Sequence, residues 1–574
     1  MKRVIPALIA IVLIILIAGI ALGGKLIEKY SYSDEMDNLE EYFGITDPNQ
    51  VPILYRGEKL ETKLLNKDGQ LYLDLDSVHE LLNERFYWDN RENWLLYATP
   101  TAKMVNQIGA SSYTVTNGMG YESEIEGEDL GYPISFTEGE GDSAVLYVAL
   151  EYVHKFTNFT YEVYEDPKRV IFKTENRDYQ QVFVTKDSAV RHRGGVKSPI
   201  LKKVAEGDEL ILLEEMEDWS KVETKDGFIG YIEKKHYGDV KSAVEQITPN
   251  YAEPEYTSLT SDSKISLGWH VVAATAGNDT IYEALQYQKG LDVISPTWFK
   301  LTDDAGNISS FATANYVNIA HNMGLKVWAV IDDFTNPVDD YEVLSYTSKR
   351  ERIIESLITE ARNSGIDGIN VDFEKVSNEA GPHYVEFLRE LSIECRANNL
   401  VLSVDDYVPY NFNSQYNIPA QGEVADYVII MGYDEHYHGS GDPGSVASID
   451  YVKHGITETL KTVPPKKVIN ALPLYTIQWR TTGTTVTDDY VTMVNQADMV
   501  SRLGGNYTWD ETTCQNYLET DIGGTKYQVW LEDAESIQVK LNVMKANEIG
   551  GVAVWRLGYE DPAIWNVISA YSEN

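Results

Sequence analysis

The chain has 574 residues, 43% of them hydrophobic, enough apolar material for three or four packed domains and a bar to wholesale disorder. Its 89 acidic against 48 basic side chains leave a formal charge of -41, which repels phosphate-bearing nucleic acid and argues against a DNA or RNA partner. Two cysteines, Cys395 and Cys514, are too few for a disulfide framework or a four-cysteine zinc site.

Lys2 and Arg3 precede an uninterrupted apolar stretch from Val4 to Leu22, and no charge follows until Lys25. About 18 such residues can cross a bilayer as a helix, and the basic pair keeps the N-terminus inside. Residues 1–24 therefore predict a single-pass membrane anchor with the rest of the chain on the extracellular side. Ala21-Leu22-Gly23 also suits signal-peptide cleavage, which would release a secreted protein. Both readings place the chain outside the cytoplasm.

Residues 25–49, rich in Glu, Asp, Tyr and Ser, read as a polar linker. An internal repeat with a constant offset of 75 residues follows. Leu71, Tyr72, Leu75, Val78, His79, Asn83 and Phe86 correspond to Leu146, Tyr147, Leu150, Val153, His154, Asn158 and Tyr161. The same offset carries Leu95-Leu96-Tyr97 onto Val170-Ile171-Phe172. Two strand, short-helix and strand units are predicted, a tandem α+β stalk over residues 50–177. The pattern resembles the small repeats named after the N-terminal region of copper amine oxidases. Nothing in it supplies a copper site, and His79 and His154 read as packed helix residues.

Residues 179–240 predict a small all-β barrel. Glu209 to Leu213, Trp219 to Glu223 and Phe228 to Ile232 are short strands, the last two joined at Lys225-Asp226-Gly227, a strong hairpin signal. Gly207-Asp208, Asp218-Trp219 and Gly230-Tyr231-Ile232 resemble the pattern of bacterial Src-homology-3-like domains. That resemblance implies a cell-wall peptide or glycan as partner; an inert spacer is the other reading. Residues 241–261, with Pro249, Pro254 and many Ser and Thr, read as a linker.

From residue 262 to 574 eight strand-like apolar runs alternate with helical patterns: Ile265 to Val272, Leu291 to Ser295, Leu325 to Ile331, Ile366 to Glu374, Leu400 to Val404, Tyr427 to Met431, Lys467 to Leu472 and Gly551 to Trp555. This predicts a (β/α)8 TIM barrel, with chemistry at the C-terminal strand ends. The fourth strand ends Asp367-Gly368-Ile369-Asn370-Val371-Asp372-Phe373-Glu374. Side chains alternate along a strand, so Ile369, Val371 and Phe373 face the helices. Asn370, Asp372 and Glu374 then point into the barrel, with Glu374 at the mouth. A structural protein rarely keeps such a polar row, because buried carboxyl groups cost several kcal/mol unless paired.

The fourth strand is similar to the Asp-Gly-x-Asp-x-Asp-x-Glu signature of glycoside hydrolase family 18, the chitinases, endo-N-acetylglucosaminidases and spore-cortex lysins. Met431-Gly432-Tyr433-Asp434, Pro473-Leu474-Tyr475 and Trp555 fall where that family has matching motifs. The resemblance covers residues 262–574. It implies substrate-assisted, retaining cleavage of beta-1,4 linkages next to N-acetylglucosamine, in chitin or peptidoglycan, without a cofactor. Glu374 is then the acid, Asp372 orients the substrate's acetamido group, and Tyr433 donates to its carbonyl oxygen. Asn370 and Asp434 contribute to substrate binding, Trp555 floors the sugar site, and Asp367 is a structural cap. An anionic Asp372 beside Glu374 is expected to raise the acid's pKa.

Asn370 departs from the signature's middle aspartate. Losing that charge is expected to let Asp372 ionise more readily than among three aspartates, and the cortex-lysin branch tolerates asparagine there, which moves the expected substrate toward peptidoglycan. Trp298, Trp479 and Trp530 are candidate cleft aromatics and equally candidates for the core. His436-Tyr437-His438 lacks a third ligand at suitable spacing, so it reads as a substrate-contacting loop and no metal is expected. The rival readings are a non-catalytic chitin or peptidoglycan lectin on the same barrel, and a structural envelope protein.

Overall fold

The computed structural model describes residues 11–20, 29, 31–118, 124–252 and 254–572. The apolar stretch from Val4 to Leu22 lies largely outside them; residues 11–20 are helical. Among the described residues no helix is long and apolar enough to cross a membrane. The chain divides into two compact units, Met1–Phe86 with Tyr132–Glu253, and Tyr87–Gly131 with Pro254–Asn574.

The first unit contains two seven-stranded sheets. In one, the strands Gln70–Asp74 and Val145–Ala149 begin the two repeat copies and pair antiparallel, Leu73 opposite Val148. Each runs into a short helix, Leu75–Leu81 or Leu150–Lys155. His79 and His154 occupy equivalent places, each ring bonded to a backbone carbonyl, of Phe86 and Phe159 respectively. The second sheet runs from Arg177–Phe183 to Lys241–Glu245. It includes the hairpin Trp219–Thr224 with Ile229–Glu233, whose turn places Gly227 at φ +83°, open to glycine at little cost.

Two expected linkers are packed instead. Ile200 exchanges backbone bonds with Glu35 and Asp37. The helix Leu39–Phe43 buries Tyr42 and Phe43 against Leu201 and Phe228, and the Tyr42 hydroxyl both donates to and accepts from Ile229's backbone. At the other end, Lys241–Glu245 pairs with Arg177–Gln181. Polar composition concealed both segments, because a few aromatics and backbone pairing suffice to anchor a short strap.

The repeat region also differs from one continuous stalk. In the second copy Arg169–Lys173 lies parallel to Gln50–Tyr55 within the first unit. In the first copy the equivalent strand, Trp94–Ala98, joins a five-stranded sheet from Phe86–Asp89 to Glu124–Asp129 that is grouped almost wholly with the second unit. The physical reason lies in its side chains. Asp89 accepts from the backbone N–H and hydroxyl of Thr347 (2.7 and 2.6 Å), and Glu92 accepts from Ser348, at the start of the helix Thr347–Ser364. That helix's own N-cap, Tyr346, supplies no capping side chain, so the inserted sheet satisfies its orphan amides.

Eight parallel strands close the barrel in the expected order: Ile265–His270, Val293–Pro296, Lys326–Asp332, Gly368–Asp372, Val401–Tyr407, Tyr427–Met431, Val468–Pro473 and Gly551–Trp555, the last pairing back to the first. Glycine starts the fourth strand for steric reasons: a Cβ on Gly368 would meet Trp328 at 2.7 Å and the Val401 carbonyl at 2.8 Å. Between the seventh and eighth strands a five-stranded antiparallel sheet is inserted, from Tyr475–Thr482 to Thr525–Leu531.

Candidate active site

The fourth strand alternates as its pattern requires. Ile369, Val371 and Phe373 join the apolar layer between strands and helices, while Asn370 and Asp372 are buried inside the barrel. Register places Asp372 beside Asp332 of the third strand and Asn370 beside Ser403 of the fifth. Asn370 is saturated: its carbonyl accepts from Trp269 Nε1 (2.9 Å) and the Ser295 hydroxyl (3.3 Å), and its amide donates to Ser403 Oγ (3.0 Å) and Asp405 Oδ1 (2.8 Å).

Asp405 changes the reading of the asparagine. Replacing the middle aspartate removes one charge beside Asp372, but the fifth strand puts another carboxyl at the same depth, held by Asn370's own amide. Burial, then the charges of Asp405, Glu374, Asp333 and Asp332, hold Asp372 well above the usual carboxylate range. The expected easy ionisation of Asp372 is therefore offset by a neighbour on another strand. Asp372 Oδ1 is buried with no hydrogen-bond partner among the described residues.

Glu374 sits at the mouth and accepts a hydrogen bond from the Tyr407 hydroxyl. Burial raises its pKa; the Tyr407 bond pulls the other way, and the charges of Asp333, Asp434 and Asp332 raise it further. A carboxyl group so placed keeps its proton at higher pH than a free glutamate, as a general acid requires. Tyr433, just past the end of the sixth strand, is buried, and burial followed by the charges of Asp372 and Glu374 keeps its hydroxyl protonated. Asp434 accepts from the Tyr475 hydroxyl and is itself raised by burial. Trp555 ends the eighth strand and meets Trp269 edge to face at 5.8 Å.

The remaining candidates disperse. Trp298 is fully buried in the helix-facing layer, with Nε1 on Asn278 Oδ1 at 2.7 Å. Trp479 is fully buried too, its Nε1 on the Gly444 carbonyl. Neither can stack on a sugar, so both belong to the core alternative. Trp530 lies in the inserted sheet, half-buried against Tyr517 at 4.7 Å. Asp367, below the fourth strand, accepts from His321 (2.7 Å), Lys326 (2.9 Å) and the backbone N–H of Val327 (2.9 Å). His436 faces Asp442, and His438 pairs with Asp488.

Asp332, Asp333, Asp405, Asp406 and Tyr407 were missed by the sequence reading. Their signal was present: Ile331-Asp332-Asp333 and Val404-Asp405-Asp406-Tyr407 each end an apolar run in paired carboxyl groups at the catalytic end of a barrel strand. Burial pushes Asp406 up to about 7, against a hydrogen bond from Gln421. The mouth is thus a ring of carboxyl groups from four successive strands, and burial raises Asp332, Asp372, Glu374, Asp405 and Asp434 above the usual carboxylate range.

Comparison with known proteins agrees with this geometry. Residues 266–560 match the family described as Glycosyl hydrolases family 18. An uncharacterized glycosylase, YvbX, of Bacillus subtilis (strain 168) is 27% identical over 315 residues, 52% of this chain and 90% of that protein. The cortical fragment-lytic enzyme of Bacillus anthracis is 25% identical over 268 residues, 45% of this chain and 62% of that enzyme. A solved chitinase structure from Chromobacterium violaceum ATCC 12472 is 22% identical, with a TM-score of 0.48 over 54% of this chain and 99% of that one. With the matched family spanning more than half of its length, this chain belongs to glycosyl hydrolase family 18 and is a glycosidase.

Proposed function

We propose that this glycosidase works outside the cytoplasm and cleaves beta-1,4 linkages next to N-acetylglucosamine in peptidoglycan, by substrate-assisted, retaining catalysis. The observation that carries the mechanism is the orphan Asp372 Oδ1, buried one strand repeat below Glu374. A buried acceptor without a donor is costly, and the N–H of a substrate acetamido group supplies what it lacks. Held there, the acetamido carbonyl oxygen attacks C1 as Glu374 delivers its proton to the leaving glycosidic oxygen. The C1–O bond breaks, an oxazolinium forms, and water reopens it with Glu374 taking the proton back. Tyr433 steadies the acetamido carbonyl, and Trp555 floors the sugar.

Peptidoglycan is favoured over chitin because cortical fragment-lytic enzymes stand among the relatives and because the middle signature position is Asn370. The apolar stretch from Val4 to Leu22 supports a membrane anchor, and the strand pattern of residues 179–240 supports an SH3-like module that binds wall peptide or glycan. The deciding experiment incubates the full-length protein and Glu374→Gln with chitin oligomers and purified peptidoglycan, weighing the released products by mass spectrometry. Muropeptides ending in N-acetylglucosamine from the wild type alone support the proposal. Release from chitin but not from peptidoglycan overturns the substrate, and equal release by both proteins overturns the role of Glu374.

A further inference from the structure

Asp333 follows the third strand and is fully buried. Its carboxylate is spent on backbone: Oδ1 accepts from the N–H of Glu374 at 3.1 Å and Oδ2 from the N–H of Lys375 at 2.7 Å. These consecutive amides belong to a stretch, residues 373–377, with no helix or strand to satisfy them. Behind Asp333 stands Asp340, also buried; burial and the charge of Asp333 push Asp340 up to about 9. Asp340 therefore carries a proton at neutral pH.

We propose that Asp333 is a positioning residue for the hydrolysis, its two carboxylate oxygens clamping the amides of Glu374 and Lys375 and so fixing the acid's side chain at the barrel mouth. The inference rests on the reading of Glu374 as the acid and extends it to a residue outside the family signature. The same carboxylate heads the anionic neighbours that raise Glu374, ahead of Asp434 and Asp332. The groups around Glu374 are Asp332, paired with Lys300 at 3.2 Å, and Asp333 from the third strand. Asp372 shares its strand, Asp405, Tyr407 and Tyr416 come from the fifth strand and the turn after it, and Tyr433 and Asp434 from the sixth. Lys375 itself turns aside, its ammonium on Asn336 Oδ1 at 3.3 Å.

Position and charge separate in two variants of the full chain. Asp333→Asn keeps one acceptor but loses the charge, whereas Asp333→Ala loses both. With hydrolysis of the cleaved glycan followed against pH, Asp333→Asn is expected to lower kcat about tenfold with KM nearly unchanged, and to move the alkaline limb down by about one pH unit. Removing a negative neighbour lowers the acid's pKa, hence that direction. Asp333→Ala is expected to lose about 10²-fold in kcat, the scale of a misplaced reacting group. A merely structural residue would lower the melting temperature and leave the alkaline limb in place. An unmoved limb with kcat within twofold of wild type in a folded Asp333→Asn protein overturns the proposal. Should neither variant fold, hydrogen exchange of the wild type decides: slow exchange at the Glu374 and Lys375 amides is expected, and fast exchange at both overturns the clamp. Full activity of Glu374→Gln would instead sink the underlying assignment of the acid, which keeps the two failures apart.

Discussion

Two regions of the barrel unit bury carboxyl groups, and they treat them in opposite ways. Where the inserted sheet meets the barrel helices, the buried glutamates Glu386 and Glu390 each face a cation, while buried Asp89 is held by Thr347. Arg350, fully buried, meets Glu390 at 2.9 Å, Lys103 meets Glu351 at 2.9 Å, and Arg389 meets Glu386 at 3.3 Å. At the mouth, carboxyl meets carboxyl: Asp332, Asp333, Asp372, Glu374, Asp405 and Asp434 act on one another, and among the described residues Lys300 with Asp332 is the ion pair there. Desolvation is similar in both places, so the partner decides the outcome. A paired charge becomes part of the folded structure, and an unpaired one keeps its proton and becomes a reagent.

Substitutions should separate the two roles. Glu374→Gln at the mouth is expected to cost about 10²- to 10⁴-fold in kcat while thermal unfolding stays level or improves, since an amide is cheaper to bury than a charge. Glu390→Gln at the seam should do the reverse. It leaves Arg350 buried without its carboxylate, a loss of about 3–5 kcal/mol in stability by chemical denaturation, with kcat per folded molecule unchanged. A seam variant that lowers kcat without lowering stability would break the comparison. It also implies that the catalytic unit is discontinuous in sequence: a chain cut at residue 262 lacks the cap that Asp89 and Glu92 provide to the helix Thr347–Ser364.

These regions also differ in how legible they were. All eight barrel strands, and the inward row of the fourth, could be read from the sequence, because one strand carries both its apolar and its polar face in a period of two. The seam could not. Asp89, Glu92 and Lys103 lie some 250 residues from their partners, and alternation within a strand says nothing about what its polar face will meet. The repeat explains the error in detail: Leu95-Leu96-Tyr97 and Val170-Ile171-Phe172 are equivalent strands, yet they join different sheets. The tryptophans stayed open for a related reason, since Trp298 and Trp479 have the composition of a sugar platform and the burial of a core. Asp405 lay in plain sight, but its importance appears only when the fifth strand is laid beside Asn370.

A third variant tests the mouth alone. Asn370→Asp places a carboxyl where an amide now donates to Asp405 at 2.8 Å, so the two must share a proton. The added negative charge is expected to raise Glu374 and to move the alkaline limb of kcat upward by about one pH unit, with little change in stability. An unchanged pH profile would mean that Asp405 already sets the proton count of the cluster by itself.

The smallest effect is expected at the opposite end of the fourth strand, where Asp367 is a paired acid on the strand that carries the unpaired ones. Burial would raise it, but hydrogen bonds from His321, the Val327 amide and Lys326 outweigh that and hold it below the usual carboxylate range. A depressed folded-state pKa contributes stability that is present above the unfolded value, near 4, and is lost as pH falls through the folded one. Asp367→Asn should therefore destabilise by about 0.5–1 kcal/mol at pH 7, the partners being half in solvent, and the difference from wild type should close as pH falls through the folded pKa. The pH profile of kcat should stay where it is, because Asp367 lies at the foot of the strand with its carboxylate bonded to His321, Lys326 and the Val327 amide. A shifted profile would show that charge at the foot of the strand reaches its mouth, and the division between paired and unpaired carboxyl groups would then be one of degree.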